Sequence, residues 1–154
     1  MSGNAPDIDL PQLPNARVAI ISSSWHLDIC DDLVAGAERA LAAASIKNVE
    51  VIYVPGSFEI PLASQIAFEK GFDAVVAVGL VLEGETPHFD YVCQGVTQGV
   101  MDVSLKFSAP IGFGVLMCNT LDQAVARSGR PGSSEDKGYD SAVAAIKLLQ
   151  LKEG

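Results

Sequence analysis

The sequence predicts an α/β fold, a three-layer sandwich with a central four-stranded parallel sheet. Two observations carry this. Strand-like and helix-like segments alternate in the order β-α-β-α-β-α-β-α-α. The runs "DAVVAVGLVL" (73–82) and "PIGFGVLM" (110–117) are continuously apolar, the pattern of strands covered on both faces. Right-handed crossovers complete the expected topology.

Taken in order, "MSGNAPDIDLPQLPN" opens the chain with Pro and Asp, and residues 1–16 are expected to be an extended tail. That tail has no basic segment followed by an apolar one, so no signal peptide is expected. Residues 17–154 are then expected to be one domain, a size that buries a core without metal or disulfide staples. "RVAIISS" (17–23) and "VEVIYV" (49–54) are β-branched strands. Between them, Ile29, Leu33, Ala37, Ala40, Leu41 and Ala44 recur at helical spacing over 28–44. "FEIPLASQIAFEKG" (58–71) turns into a second helix closed by Gly71. Phe89, Val92, Cys93, Val96, Val100, Val103 and Phe107 mark a third over 88–107, with Thr86 as its expected N-cap and Pro87 at its first position. "TLDQAVARSG" is a short fourth helix ended by Gly129, and "SSED" resembles a capping box before a fifth at 137–151.

Composition removes several function classes. A net charge of −9 argues against nucleic acid, which demands a basic stripe. No apolar run is long enough to span a bilayer. Three isolated cysteines, Cys30, Cys93 and Cys118, form no CxxC and suit reduced thiols in a cytoplasmic protein. No GxGxxG, Walker loop or GxSxG elbow occurs, and no His/Asp/Glu cluster has metal-ligand spacing.

In an open parallel sheet, ligands bind beyond the carboxyl ends of the strands. That rule selects "SSWH" (23–26), "PGSFE" (55–59), "EGETPH" (83–88) and "CNT" (118–120). In "GETPH", Gly84 lets backbone approach a ligand, and a helix N-terminus beside it suits an anion. His88 stands in that first turn as either a proton carrier or a polar capping group. Trp25, the only tryptophan, is either a platform for a planar ring or a core aromatic. Glu59 either accepts hydrogen bonds from a heterocycle or is a solvated helix-start carboxylate. Arg127 either complements a helix end or, with Arg130 and Lys137, forms the one local cluster of positive charge.

The quoted loops, together with "VPGSFEIP" (54–61), "GETPHFDYV" (84–92), "FGVLMCNTLDQAVARSG" (113–129) and "DKG" (136–138), resemble the lumazine synthase family in order and spacing from about Arg17 to Leu149. The resemblance implies a flavodoxin-like sheet and the condensation of 5-amino-6-(D-ribitylamino)uracil with 3,4-dihydroxy-2-butanone 4-phosphate. The product is 6,7-dimethyl-8-ribityllumazine, with phosphate and water released and no cofactor or metal. It implies that Trp25 stacks on the pyrimidine, that Ser57, Phe58 and Glu59 meet the ribityl chain and ring, and that Leu80, Val81 and Leu82 line the pyrimidine. Phe113 would close the pocket, with Lys137 near it. Gly84, Glu85 and Thr86 would hold the phosphate, reached also by Arg127 from a neighbouring subunit, and His88 would transfer protons. A homopentamer is implied, with the N-terminal segment adding to a neighbour's sheet and riboflavin synthase acting downstream. The turn "RPGSSED" (130–136) is longer than in shell-forming members, so a free pentamer is expected over a sixty-subunit shell. "LMCNT" departs from the commoner threonine-rich version at Met117 and Cys118. A non-catalytic flavin-binding protein and a structural shell protein are the rival readings.

Overall fold

The computed structural model describes residues 7–154. The expected tail falls partly outside this range, at residues 1–6. The elements are β1 (Arg17–Ser22), α1 (Leu27–Ala43), β2 (Asn48–Tyr53), a 3₁₀ turn (Ser57–Glu59), α2 (Ile60–Glu69), β3 (Ala74–Leu82), α3 (His88–Phe107), β4 (Ile111–Cys118), α4 (Leu121–Arg127) and α5 (Lys137–Glu153). The sheet runs β2-β1-β3-β4 and is parallel throughout, the flavodoxin-like arrangement.

Alternation along each strand sends neighbours to opposite faces. On one face Val18, Ile20, Val76, Val78 and Leu116 meet Ile29, Leu33 and Leu41 of α1 and Ile146 and Leu149 of α5. On the other, Ala19, Ile21, Val75, Ala77 and Val115 meet Ile60 and Phe68 of α2 and Val96, Val100 and Val103 of α3. Three layers result. Burying each such aliphatic side chain contributes about 1.5–3 kcal/mol, so the two cores hold the sandwich together.

Local chemistry ends the helices. Gly71 has φ 92, and its N–H donates to Phe68 O while Phe72 N donates to Ala67 O, which closes α2. Gly129, φ 81, follows α4 in the same left-handed region. Thr120 caps α4 by accepting from Gln123 N at 3.3 Å.

Two expected caps differ. Thr86 makes no cap bond to α3; Pro87 precedes His88 in helical conformation, and its carbonyl accepts from Asp90 N at 3.0 Å. "SSED" does not act as a capping box from Ser133. Asp136 is the N-cap of α5 and accepts from Tyr139 N, because it also pairs with Arg39 on α1 and is drawn inward. Residues 8–14 form no strand within the chain. Gln12 and Leu13 instead donate to Ala43 O and Ala44 O at the end of α1. Among the described residues no helix is long and apolar enough to cross a membrane.

α1 and α5 pack closely because Gly138 lies against the backbone of Leu33. A Cβ at position 138 would overlap the Leu33 carbonyl, and backbone cannot swing aside as a side chain can. Gly138→Ala is therefore expected to lose about 1–3 kcal/mol or more of stability. Urea unfolding at matched protein concentration measures this, and an unchanged midpoint would contradict the packing described.

Candidate active site

One cavity of about 810 Å³ lies beyond the carboxyl ends of β1 and β3. These are the strands at which the sheet order changes direction, since β1 is followed by a crossover to β2 and β3 by one to β4. Leu80, Val81 and Leu82 of β3 line it, and Leu80 is buried. Trp25 and His26 contribute from the loop after β1, and Pro55 to Glu59 from the loop after β2. Gly84, Thr86, His88, Phe89, Tyr91 and Val92 contribute from the exit of β3 and the first turns of α3.

Hydrogen bonds set the loops. Ser24 Oγ donates to Val54 O at 2.8 Å, and Ser24 N donates to Pro55 O, which ties the first loop to the second. The Cys30 thiol donates to Trp25 O at 3.2 Å and so anchors the Trp25 backbone from beneath. The Trp25 ring itself is 69% exposed, which makes it a cavity wall and not a core aromatic. His26 is exposed with φ 53, a left-handed backbone that turns the chain into α1.

The second loop is shaped by what lies against it. Glu59 Oε2 accepts from Gly56 N at 3.1 Å, which fixes the carboxylate beside the cavity. Gly79 of β3 must lack a side chain: a Cβ there would lie 2.5 Å from Ser23 Oγ and 3.0 Å from Ser57 Oγ. Gly95 of α3 likewise leaves space for the Phe58 ring, which a Cβ would meet at 2.6 Å. Ser57 Oγ is buried and has no hydrogen-bond partner among the described residues. An unpartnered buried hydroxyl costs about 1–3 kcal/mol, so a polar group placed in the cavity would relieve it.

The cavity wall is mainly apolar, with Glu59, Ser57, Thr86 and His88 as its convergent polar side chains. That is the composition of a small-molecule site for a ring bearing polar edges. Among its lining residues there is no Lys or Arg. At the start of α3, the first backbone N–H groups have no intrahelical acceptor, and Pro87 has none to offer.

The remaining expected site residues are elsewhere in the single chain. Glu85 is exposed on the segment before α3 and does not line the cavity. Phe113 is 41% exposed on the edge strand β4, paired in register with Ala77. Arg127 ends α4, with Nη1 donating to Gln123 O at 2.9 Å and Nε 3.5 Å from Glu135 Oε2. Lys137 Nζ lies 3.2 Å from Glu135 Oε1 and 3.8 Å from Asp140 Oδ2. Arg130, grouped with them from sequence, is engaged by Asp32 and Asp28 of α1. The cavity opens between β1 and β3, whereas Phe113 is on an edge strand and the three cations on the segment that follows it, so one chain does not bring them together.

Sequence reasoning left out several lining residues. His26 has no role assigned beyond its place in "SSWH", Phe89 and Val92 are read only as helix positions, and Tyr91 is not singled out. Spacing offered a signal, because His88, Tyr91 and Val92 stand three and four apart and share one face of α3.

A family model described as 6,7-dimethyl-8-ribityllumazine synthase matches residues 15–153. The chain belongs to the 6,7-dimethyl-8-ribityllumazine synthase family. It is 50% identical over 147 residues to the protein of that name from Streptomyces coelicolor, covering 95% of this chain and 91% of the relative. It is 51% identical over 152 residues to the one from Pseudarthrobacter chlorophenolicus, covering 95% and 94%. A third, from a Mycobacterium species, is 46% identical over 156 residues and covers all of this chain. The sequence stretches by which the chain resembles lumazine synthases fall on the strand exits and on the segment from β4 to α5.

Burial also sets the reactivity of the three free thiols. Desolvation pushes the Cys30 thiol above its ordinary value, with hydrogen bonds to Ser23 and Ser22 pulling weakly the other way. Cys93 and Cys118 are raised for the same first reason. The thiolate is the reacting species, so in this lumazine synthase family member a thiol reagent near neutral pH should react more slowly with folded than with unfolded protein. Equal rates would show that the thiols are not shielded as described.

Proposed function

We propose that this chain condenses 5-amino-6-(D-ribitylamino)uracil with 3,4-dihydroxy-2-butanone 4-phosphate to 6,7-dimethyl-8-ribityllumazine, as a transferase of riboflavin biosynthesis. The observation that carries the reading is the convergence of Trp25, Glu59, Leu80 to Leu82 and His88 on one cavity in a chain of this family.

The chemistry asks for four things. A planar pyrimidine needs a flat face, and the exposed Trp25 ring offers one at the cavity wall. Leu80, Val81 and Leu82 line the ring's other surroundings. The ribityl chain needs polar partners, and Ser57 Oγ and the Glu59 carboxylate are two, with Phe58 beside them. Imine formation between the amine and the ketone loses one water, phosphate then leaves by elimination, and attack of the ribityl-bearing nitrogen on the remaining carbonyl closes the ring with loss of a second water; each step moves a proton, which is the role assigned to His88. Backbone N–H groups of the segment Gly84, Glu85 and Thr86, before α3, are assigned to the phosphate, with the Glu85 side chain outside the cavity lining. No redox cofactor is called for, since the reaction transfers no net electrons, and the family resemblance implies no other.

A phosphate also needs a fixed cation, and no Lys or Arg lines the cavity of the single chain. We therefore assign Arg127 of a neighbouring subunit to the phosphate, with Phe113 and Lys137 of that subunit completing the wall. This favours sites between subunits, and the family resemblance makes the assembly a homopentamer. The turn at 130–136, longer than in shell-forming members and containing Pro131, supports a free pentamer over a closed shell; its Arg130 pairs with Asp32 at 2.8 Å and Asp28 at 3.4 Å. Three free cysteines suit a reducing cytoplasm. Riboflavin synthase would consume the product.

Mixing protein with both substrates and following lumazine absorbance against a protein-free blank tests the reading. A rate above the blank is expected. His88→Ala should lower it by roughly a hundred- to ten-thousandfold without abolishing it, the range of one acid–base group. Arg127→Ala should lower it further, because orientation of two reactants contributes more, about 7–11 kcal/mol. Retained binding of the lumazine with no turnover would instead point to a binding protein. Sedimentation should give the mass of a pentamer, and a mass near sixty chains would overturn that assignment.

A further inference from the structure

The cations Arg127 and Lys137 share one carboxylate, that of Glu135. Its Oε2 lies 3.5 Å from Arg127 Nε and its Oε1 3.2 Å from Lys137 Nζ. The Glu135 side chain is only 15% exposed, whereas Arg127 is 39% and Lys137 22% exposed. The backbone beneath it is fixed on both sides. Glu135 N donates to Ala126 O at 3.0 Å, and Glu135 O accepts from Gly129 N at 3.1 Å and from Ser133 Oγ at 3.0 Å. Ser128 and Asp136 form an antiparallel bridge across the same turn.

A nearly buried carboxylate persists only where cations meet it. Glu135 meets two, one at each oxygen, as ion pairs at 3.5 and 3.2 Å, while Oε1 accepts no hydrogen bond among the described residues; each cation has a second tether. Arg127 Nη1 is held by the Gln123 carbonyl, and Lys137 Nζ faces Asp140. Two long, rotamer-rich side chains are thus fixed before any ligand arrives, which lowers the entropy lost on binding.

We propose that Glu135 is a positioning residue that presets Arg127 and Lys137 for an anionic phosphate group. This rests on the function proposed above. It makes a prediction in the direction opposite to simple charge. Removing a carboxylate raises the local positive potential, which alone would tighten an anion. Lost positioning would loosen it.

The test uses the full assembled chain as wild type, Glu135→Gln and Glu135→Asp. Both substrates are varied in steady state, and inorganic phosphate serves as an inhibitor and as a titrant by calorimetry. In Glu135→Gln the KM of the phosphate-bearing substrate and the Ki of inorganic phosphate should rise about tenfold, the value of one charge-assisted contact. The kcat and the KM of the pyrimidine should stay within about twofold, the pattern of lost ground-state anchoring. Glu135→Asp, which keeps the charge, should fall between wild type and Glu135→Gln. It carries the test if the Gln variant does not assemble. An unchanged or lowered KM for the phosphate-bearing substrate overturns the proposal, and so does a parallel change in every parameter. If the wild type shows no turnover, the function fails instead. Phosphate calorimetry then still decides whether Glu135 presets the cations.

Discussion

The site depends on β1 and β3 lying side by side and parallel, with the helices that follow them on opposite faces. α1 covers one face after β1, and α3 covers the other after β3, so the two chain exits diverge and leave a gap between them. That geometry requires both strands to be dry on both sides. Val18 to Ile21 and Ala74 to Val78 are fully buried and carry no ionisable group. A charge introduced there would cost several kcal/mol, so these strands tolerate little except small and β-branched side chains.

The same constraint explains why polar groups crowd at the strand ends. After Arg17, which opens β1, Ser22 and Ser23 are the first polar residues of the strand and its exit, and both are buried. Ser22 Oγ donates to Ser23 O, and Ser23 Oγ accepts from Leu80 N at 3.3 Å, which carries the β1–β3 join one step past the regular ladder. Gly79 opens the space the Ser23 hydroxyl uses, and Ser57 Oγ approaches the same space from the second loop. The cavity floor is therefore a product of where pairing stops. It is as rigid as the strands beneath it, which suits a site that must hold two reactants in one orientation.

Much of this was legible in sequence. Strand exits, helix order and the left-handed Gly71 and Gly129 follow from local rules that tertiary packing did not override. The cap of α5 was not legible, since the choice of Asp136 over Ser133 depends on Arg39, distant in sequence. Nor was the start of α3, where Pro87 takes the position expected of Thr86. Trp25, Glu59 and His88 could be placed in one cavity because strand-exit loops converge by topology. Arg127 and Lys137 stand out in sequence only as a cluster of positive charge, and their link to the cavity, like that of Phe113, comes only through family resemblance, because nothing in one chain's periodicity places them beside it.

Charge links these points. The chain carries −9 overall, yet the proposed substrate pair includes a phosphate, and anions are repelled by such a surface. A cavity lined with lysines would offset this, but each ammonium placed among Leu80, Val81 and Phe89 would lose hydration with no partner when empty. The chain instead places Arg127, Arg130 and Lys137 at the α4–α5 junction, where Glu135, Asp140, Asp28 and Asp32 match them. On the proposed reading, the positive potential that the phosphate needs arises where that junction meets the α3 N-terminus of another chain. Paired cations cost little while the chains are apart, and on that same reading the helix N–H groups and the Arg127 guanidinium meet only on assembly. Phosphate affinity then becomes a property of the oligomer, and a chain that fails to assemble would retain the aromatic face for the pyrimidine while lacking the anion subsite.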